Sequence, residues 1–282
     1  MSSRRRPTVL ATITVLYIAW SLLPVLIAVL FSFNAGRSRT EWTGFSLQWY
    51  FTEPERSVWH DASMHTALLH TMRLGVIVTL VTVPLGVLLA LGLDRWRGRL
   101  PSGVSFLVLL SFVLPEVLLA VALLFVATTV STPLQLGTFG QVLGLVTYQL
   151  SYPVIIVRGR MLAIGPQYEQ AAVDLGASRW GAVWRVLIPM LIPAIFASTV
   201  LVFADVIDNF VLVRYLSGDA STEPVSVKIY NTARAAPTPA LNALATLVLL
   251  ASLIVVTVGF LAYKWFSRGE KGVGVQSFAA EL

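Results

Sequence analysis

Long apolar runs separated by shorter polar segments set the pattern of this 282-residue chain. A membrane-spanning helix needs about 20 mostly apolar residues. Six runs reach that length: residues 8–33, 69–93, 101–129, 139–157, 186–213 and 240–266. Gln141, Gln149 and Pro153 interrupt the fourth run, so we expect that helix to pack against protein rather than acyl chains. The pattern predicts an all-α membrane protein with six transmembrane helices.

Composition agrees with this assignment. Hydrophobic residues make up 56% of the chain and charged residues 12%, whereas soluble domains are about one quarter charged. The net charge is +6, but no basic run is interleaved with surface aromatics, so we expect no nucleic-acid partner. The chain has no cysteine, which excludes disulfides, thiolate catalysis and Cys-based metal sites.

The basic residues predict the orientation. With the N-terminus inside, about 13 of the 20 Lys and Arg residues fall in inner segments and about seven in outer segments. Positive charge accumulates on the cytoplasmic side of membrane proteins. We therefore expect both termini in the cytoplasm, with a first helix and long outer loop at 1–68 and a cytoplasmic tail at 267–282.

A polar stretch between the fourth and fifth runs faces the cytoplasm in this orientation. Residues 168–175 predict two helical turns, and Gly176 then supplies a break because glycine accepts a positive φ. Ser178 is a suitable N-cap for a second helix that carries Trp180 and Trp184. Such a pair of short helices would act as a lever on the bundle. The alternative is an amphipathic loop on the bilayer surface, which the two tryptophans at i, i+4 would also suit.

The same stretch resembles a known pattern. It reads QAA at residues 170–172, then three residues, Gly176, nine residues, and VLIP at residues 186–189. This spacing is similar to the EAA-x3-G-x9-I-x-L-P loop of binding-protein-dependent ABC importer permeases. Three positions depart from that loop: Gln170, Val186 and Ile188. Glu169, one residue earlier, is a candidate replacement for the missing carboxylate.

Four further segments resemble the spermidine/putrescine branch of these permeases: residues 114–125, 152–161, 208–218 and 227–250. The resemblance implies the type I ABC importer permease fold, with a core permease domain at 69–266 and a coupling loop at about 158–188. It also implies a prokaryotic inner or plasma membrane, a second permease subunit, two ATP-binding subunits and an extracytoplasmic solute-binding protein.

The resemblance further implies a division of labour. ATP and Mg²⁺ belong to the partner ATP-binding subunits, and this chain, which lacks a GxxxxGK[ST] loop, is a non-catalytic subunit without a cofactor of its own. Contact with the ATP-binding subunits is expected at nine positions: Glu169, Gln170, Ala171, Ala172, Asp174, Gly176, Ala177, Ser178 and Arg179. The implied activity is inward movement of a small solute, such as spermidine or putrescine, by alternating access.

Acidic residues within the apolar runs are candidates for a substrate pathway. Glu116 falls midway along the third run, where a carboxylate normally faces a cavity or a partner. Asp205 and Asp208 are spaced i, i+3 on one face of the fifth run, and Asn209 follows. Together they predict an acidic passage for a cationic amine. The alternatives are a structural role for Glu116, protonated or paired with Arg73 or another subunit, and binding-protein docking by the two aspartates.

Other solutes and other classes of protein remain open. Arg214, near the outer mouth, would repel a cation or attract an anionic group such as a phosphonate. The same class of importer for an amino-acid derivative or an iron chelate is a further alternative. A secondary transporter would leave the cytoplasmic loop unexplained and commonly carries inverted repeats, which this sequence does not show. His60, His65 and His70 are spaced by five residues, which places them on different faces of a helix, so we expect no metal site.

Overall fold

The computed structural model describes residues 8–38, 40–54, 56–96, 99–130, 135–235 and 238–266. Within these ranges the regular structure is helical, apart from one isolated antiparallel bridge between Asn34 and Phe45. The helices are α1 (Thr8–Ser32), α2 (Ala62–Arg95), α3 (Arg99–Val113), α4 (Glu116–Thr129), α5 (Thr138–Gln149), α6 (Ser151–Ile164), α7 (Gln167–Asp174), α8 (Arg179–Ala182), α9 (Ile188–Asp208), α10 (Val211–Leu216), α11 (Val225–Ala235) and α12 (Pro239–Phe266). The all-α class is confirmed.

Five of the helical stretches are long and apolar enough to cross a membrane: Val9–Ser32, Ala62–Arg95, Thr138–Ile164, Arg179–Asp208 and Pro239–Leu261. The bent pair of α3 and α4 supplies a sixth if it counts as one span. The fourth stretch runs from α5 straight into α6, because Leu150 between them keeps a helical backbone. It therefore extends seven residues beyond the predicted end at Val157.

The third predicted span, at 101–129, is not one straight helix. α3 ends at Val113, α4 begins at Glu116, and the two are bent by 104°. Pro115 lies at the bend; its ring provides no N–H and disfavours a helical conformation at Leu114. Glu116 is thus the first residue of a new helix at a bend, and the expectation that it lies midway along a continuous helix was wrong.

The fifth span also differs from the prediction of 186–213. It begins earlier, at Arg179, and passes through a π-helical turn at Val183–Leu187 before continuing as α9. It ends earlier as well, since Asn209 leaves the helical conformation and α10 starts separately. The apolar pattern continues across this break, so the hydrophobic run alone did not reveal it.

The centre of the molecule is the contact of α2, α6 and α9. Leu74, Val78, Val157 and Leu191 are fully buried there, joined by side chains from α5 and α10. α2 and α6 come close at Gly86, where an added Cβ would lie 2.3 Å from Pro153 Cγ. Small residues that allow helices to approach are typical of membrane bundles, where packing rather than the hydrophobic effect holds helices together.

A second packing unit lies at the edge of the bundle. α1 packs mainly on α12, and most of its side chains are exposed. The segment after α1 folds back so that Trp49 is buried and donates its indole N–H to the Asn34 carbonyl oxygen at 2.7 Å. Tyr50 stacks on Phe33, which attaches this segment to the end of α1.

Candidate functional site

The loop between α6 and α9 has the predicted helix–glycine–helix form. α7 ends in a Schellman motif: the Gly176 N–H donates to Val173 O at 2.9 Å, and the Ala177 N–H donates to Ala172 O at 3.0 Å. Gly176 adopts a φ of 91°, which other residues reach only with strain. Local capping chemistry therefore fixes this turn.

The second short helix is continuous with the membrane span. Ser178 accepts a hydrogen bond from the Gly181 N–H at 3.1 Å and caps α8, as predicted. α8 then runs through the π-helical turn into α9 without a break in helical backbone. A π-helical turn within a longer helix is rare and often marks a functional position. Displacement of α8 would thus move the far end of the same helix.

This end of the bundle presents an open surface with apolar and charged groups. Within the described structure no side chain of α7 is buried, and none of the nine predicted coupling residues is buried. Leu175 is 90% exposed and Trp180 is 71% exposed, with Trp184 also exposed nearby. Exposed apolar groups concentrated in one place, with charges around them, are typical of an interaction surface.

One coupling candidate is already engaged within the chain. Glu169 accepts a hydrogen bond from Arg95 at the end of α2, with 2.5 Å between Oε2 and Nη2. From the sequence, Arg95 is only one of the basic residues in the inner segments, and its pairing with Glu169 was not predicted. The bond fixes α7 against α2, whereas Asp174 and Arg179 form no ion pair with any described residue.

The pathway candidates come together at the two helix breaks. Glu116 Oε1, at the start of α4, accepts a hydrogen bond from Asn209 Nδ2 at 2.5 Å, and the Leu212 N–H lies at 3.4 Å. The carboxylate therefore caps the first turn of α10 from another helix. It also connects the break between α3 and α4 to the break between α9 and α10. The expected alternative partner, Arg73, is exposed and forms no ion pair with the described residues.

Asp205 lies beside this pair and Asp208 does not share its surroundings. Asp205 is half-buried and accepts a hydrogen bond from Gln149 Nε2. Asp208 is exposed and makes no side-chain hydrogen bond within the described ranges. Tyr148 and Tyr152 pack edge to face with centroids 6.4 Å apart, and both phenols lie near the carboxylates of Glu116 and Asp205. We call Glu116, Tyr148, Tyr152, Asp205 and Asn209 the acidic cluster.

The sequence did not predict the two tyrosines or Gln149 as members of this site. They lie on the fourth span, where the only signal was its interruption by polar residues. That signal was informative about packing: Gln141 and Gln149 are both completely buried against protein, as expected. Arg214, which was assigned to the outer mouth, is exposed on α10 and forms no ion pair with the described residues.

Gln141 is the centre of a second buried network. Its Nε2 donates to Ser217 Oγ at 3.0 Å and Thr222 O at 2.9 Å, so its Oε1 faces His70 Nε2 at 2.8 Å. His70 must therefore donate from Nε2. Asp219 caps the adjoining turn, and the hydrogen bonds from Ser221 lower the pKa of its carboxyl. The network ties α2 and α5 to the loop after α10.

The other histidines have separate surroundings. His60 Nδ1 lies 2.9 Å from Ser57 Oγ, and the His65 ring packs edge to face on Trp59. The three histidines thus contact three different partners, and within the described ranges no three metal-ligating side chains come together.

Comparison with known proteins places these features in a family. Residues 82–272 match the family described as binding-protein-dependent transport system inner membrane component. The chain is 29% identical to the spermidine/putrescine transport system permease protein PotC of Escherichia coli K12, over 90% of this chain and 93% of that protein. It is 30% identical to the putrescine transport system permease protein PotI of the same strain, over 88% and 87%.

The fold has close counterparts among solved structures. A bacterial ABC transporter involved in the import of the acidic polysaccharide alginate superposes with a TM-score of 0.73 over 94% of this chain and 98% of that chain, at 18% identity. A second alginate transporter structure, in complex with a periplasmic protein bound to an alginate pentasaccharide, gives a TM-score of 0.68 at 20% identity. The resemblance stated from the loop residues is confirmed, and the chain belongs to the family of inner membrane components of binding-protein-dependent transport systems.

Proposed function

We propose that this chain is the permease subunit of an ATP-driven importer whose cargo is a polyamine such as spermidine or putrescine. The observation that carries the proposal is the exposed helix–Gly176–helix loop, continuous with the fifth span, at the end of a permease fold. The cargo follows from the relatives, which are named as polyamine permeases and align over about nine tenths of both chains. In this function both termini and the loop lie in the cytoplasm.

The coupling surface is the set of nine residues from Glu169 to Arg179 named above. Two partner ATP-binding subunits, which hold ATP and Mg²⁺, would bind the cytoplasmic loops of the two permease subunits, and in this chain that loop is α7 and α8. Since α8 continues through the π-helical turn into α9, movement of the bound subunit tilts the fifth span as one body. Asn209 follows directly after the far end of α9, and its side chain is hydrogen-bonded to Glu116. The loop is thereby connected to the acidic cluster by a single helix.

The acidic cluster, with Asp208, is the proposed passage for the amine. Three carboxylates, those of Glu116, Asp205 and Asp208, provide negative charge, and the faces of Tyr148 and Tyr152 favour cations. Oε1 of Glu116 is committed to Asn209 and the Leu212 N–H, whereas no hydrogen bond to Oε2 occurs among the described residues. A structural and a transport role for Glu116 are therefore compatible, because they use different oxygens.

The complete importer needs three kinds of partner. A second permease subunit completes the pore, two ATP-binding subunits drive it, and an extracytoplasmic binding protein delivers the solute. The solved relative bound to a periplasmic protein is an example of the last contact. The unpaired Arg214 favours an anionic solute, such as a phosphonate, as the second candidate.

The test is the ATPase activity of the reconstituted complex, with and without its solute-binding protein loaded with spermidine. Stimulation by the loaded protein supports the polyamine importer. Stimulation only with a phosphonate or another solute retains the importer and refutes the polyamine. Absence of any associated ATPase in the purified complex refutes the importer itself.

A further inference from the structure

A cavity of about 490 Å³ opens between the end of α2, the first half of α3 and the middle of α6. It is lined by Leu93, Trp96, Pro101, Ser102, Ser105, Phe106, Leu109 and Arg158. Its volume falls in the range of small-molecule sites. None of its lining residues belongs to the nine coupling residues or to the acidic cluster, so the proposed function does not account for it.

The charged group in the described lining is Arg158, and no acid among the described residues neutralises it. Its Nη1 donates to Ser105 Oγ at 3.1 Å, which holds the guanidinium against α3. The other donors of the guanidinium have no hydrogen-bond partner among the described residues, and no described carboxylate lies within ion-pair distance. A half-buried cation without a counter-charge is costly in an apolar setting, so an anion would be stabilised here.

The remaining walls are apolar. Phe106 and Leu109 contribute apolar side chains from α3 to this lining, and both are exposed. Trp96 stands at the C-cap of α2, where the apolar run ends, and tryptophan at that position is typical of the membrane–water interface. The site thus combines the Arg158 cation and the hydroxyls of Ser102 and Ser105, at the depth of the membrane interface, with an apolar surface directed into the membrane.

We propose that this cavity binds the phosphate group of an anionic phospholipid such as phosphatidylglycerol. Arg158, Ser102 and Ser105 take the phosphate oxygens, and an acyl chain lies along Phe106 and Leu109. Basic pockets between helices at the membrane surface are suited to such headgroups. Free inorganic phosphate offers the same oxygens, but only a lipid uses the apolar wall. A bound lipid would fill the gap between α3 and α6.

The experiment is native mass spectrometry of the full-length protein, purified with its associated subunits and equilibrated with phosphatidylglycerol and phosphatidylcholine in equal amounts. The wild type should retain phosphatidylglycerol preferentially. Arg158→Gln should lower that retention about tenfold, as expected for loss of a charge-assisted hydrogen bond. Lys264→Gln, which removes an exposed cation outside the cavity, should leave retention unchanged.

Two further variants and one further ligand make the result decisive. Ser102→Ala should weaken retention without altering net charge, and Arg158→Lys should preserve part of it; both keep the proposal testable if Arg158→Gln does not fold. Equal retention of phosphatidylglycerol by wild type and all three cavity variants would overturn the site. Thermal stabilisation by inorganic phosphate equal to that by phosphatidylglycerol would overturn the lipid assignment.

Discussion

Arg95 and Glu169 lie 74 residues apart in the sequence and are joined by a hydrogen-bonded ion pair of 2.5 Å. The pair connects the last turn of α2, a central helix, to the first helix of the exposed loop. Both side chains keep some contact with water, with exposed fractions of 39% and 23%. The interaction is therefore screened, and its contribution to stability should be modest.

A double-mutant cycle measures this contribution. Arg95→Gln, Glu169→Gln and the double variant should give a coupling free energy of about 0.5–1 kcal/mol, from unfolding in mixed detergent micelles. The Arg37–Glu53 pair is the matched control: its atoms are 3.4 Å apart and Arg37 is 71% exposed, so its coupling should be smaller. A larger coupling for the control pair would contradict this ranking.

A substitution of Gly176 should be tolerated only if the new residue can adopt the positive φ of this position. Gly176→Pro cannot reach the φ of 91° and loses the N–H that bonds Val173, so ATPase stimulation by the solute-loaded binding protein should disappear. Gly176→Asn should retain most of the stimulation, because asparagine enters the left-handed region more readily than other residues. No atom lies within 4 Å of a Cβ added at Gly176, so the two variants differ in backbone conformation and not in steric crowding at Cβ. Wild-type stimulation in the proline variant would refute the lever.

Gly86 and Gly92 form a matched pair on α2. Gly86→Ala would place its Cβ 2.3 Å from Pro153 Cγ, and it should destabilise the protein by about 1–3 kcal/mol. Gly92→Ala meets nothing within 4 Å and should be neutral or slightly stabilising. Unfolding in mixed micelles distinguishes the two, and equal effects would mean that the α2–α6 approach is not as close as described.

Gln141→Leu should destabilise the protein by about 1–3 kcal/mol, because it takes the acceptor from the His70 donor in a buried site and removes the shorter of the two hydrogen bonds to the Thr222 carbonyl. The control is Gln167→Leu, which removes an exposed amide whose hydrogen bond within the described part of the chain is to Ile164 O. Its effect should lie within about 0.5 kcal/mol of zero. Comparable effects from the two substitutions would show that the buried network contributes little.

Glu116→Gln separates the structural from the transport role of this residue. The amide oxygen still accepts from Asn209, so the stability of the complex should change little. The negative charge is lost, so transport of spermidine should fall. Glu116→Ala removes both and should also lower the midpoint of thermal unfolding. Unchanged spermidine uptake in the glutamine variant would leave Glu116 as a brace between helix breaks and nothing more.

Features set by local chemistry were predicted well from the sequence. The spans follow from the length of the apolar runs, and α7, Gly176 and the Ser178 cap follow from residue types only a few positions apart. These elements depend on backbone hydrogen bonds within one short segment, so neighbours in the sequence contain the information. The apolar run predicted that the fifth span begins at residue 186, whereas the helix begins at Arg179. The difference arises because a polar residue such as Arg185 ends an apolar run but does not interrupt a helix.

Features set by contacts between distant segments were not predictable in the same way. Glu116 and Asn209 are 93 residues apart, and neither residue carries a local sign of the other. The bend between α3 and α4 was indicated only by Pro115, since the apolar pattern continues through it. The role of the coupling residues and of the acidic cluster remains a prediction, for which the exposed loop and the two helix breaks are the support.

The packing of α1 on α12 has a consequence for how the chain is made. α1 precedes α12 in the sequence, so during synthesis it finds its main partner only when α12 has been made. Until then the segment around Trp49 also lacks the contacts that Ala240 and Leu241 contribute to its hydrophobic cluster. Closure of the bundle is thus a late event in biogenesis, and a chain terminated before Pro239 would present an incomplete edge to the membrane's quality-control proteases.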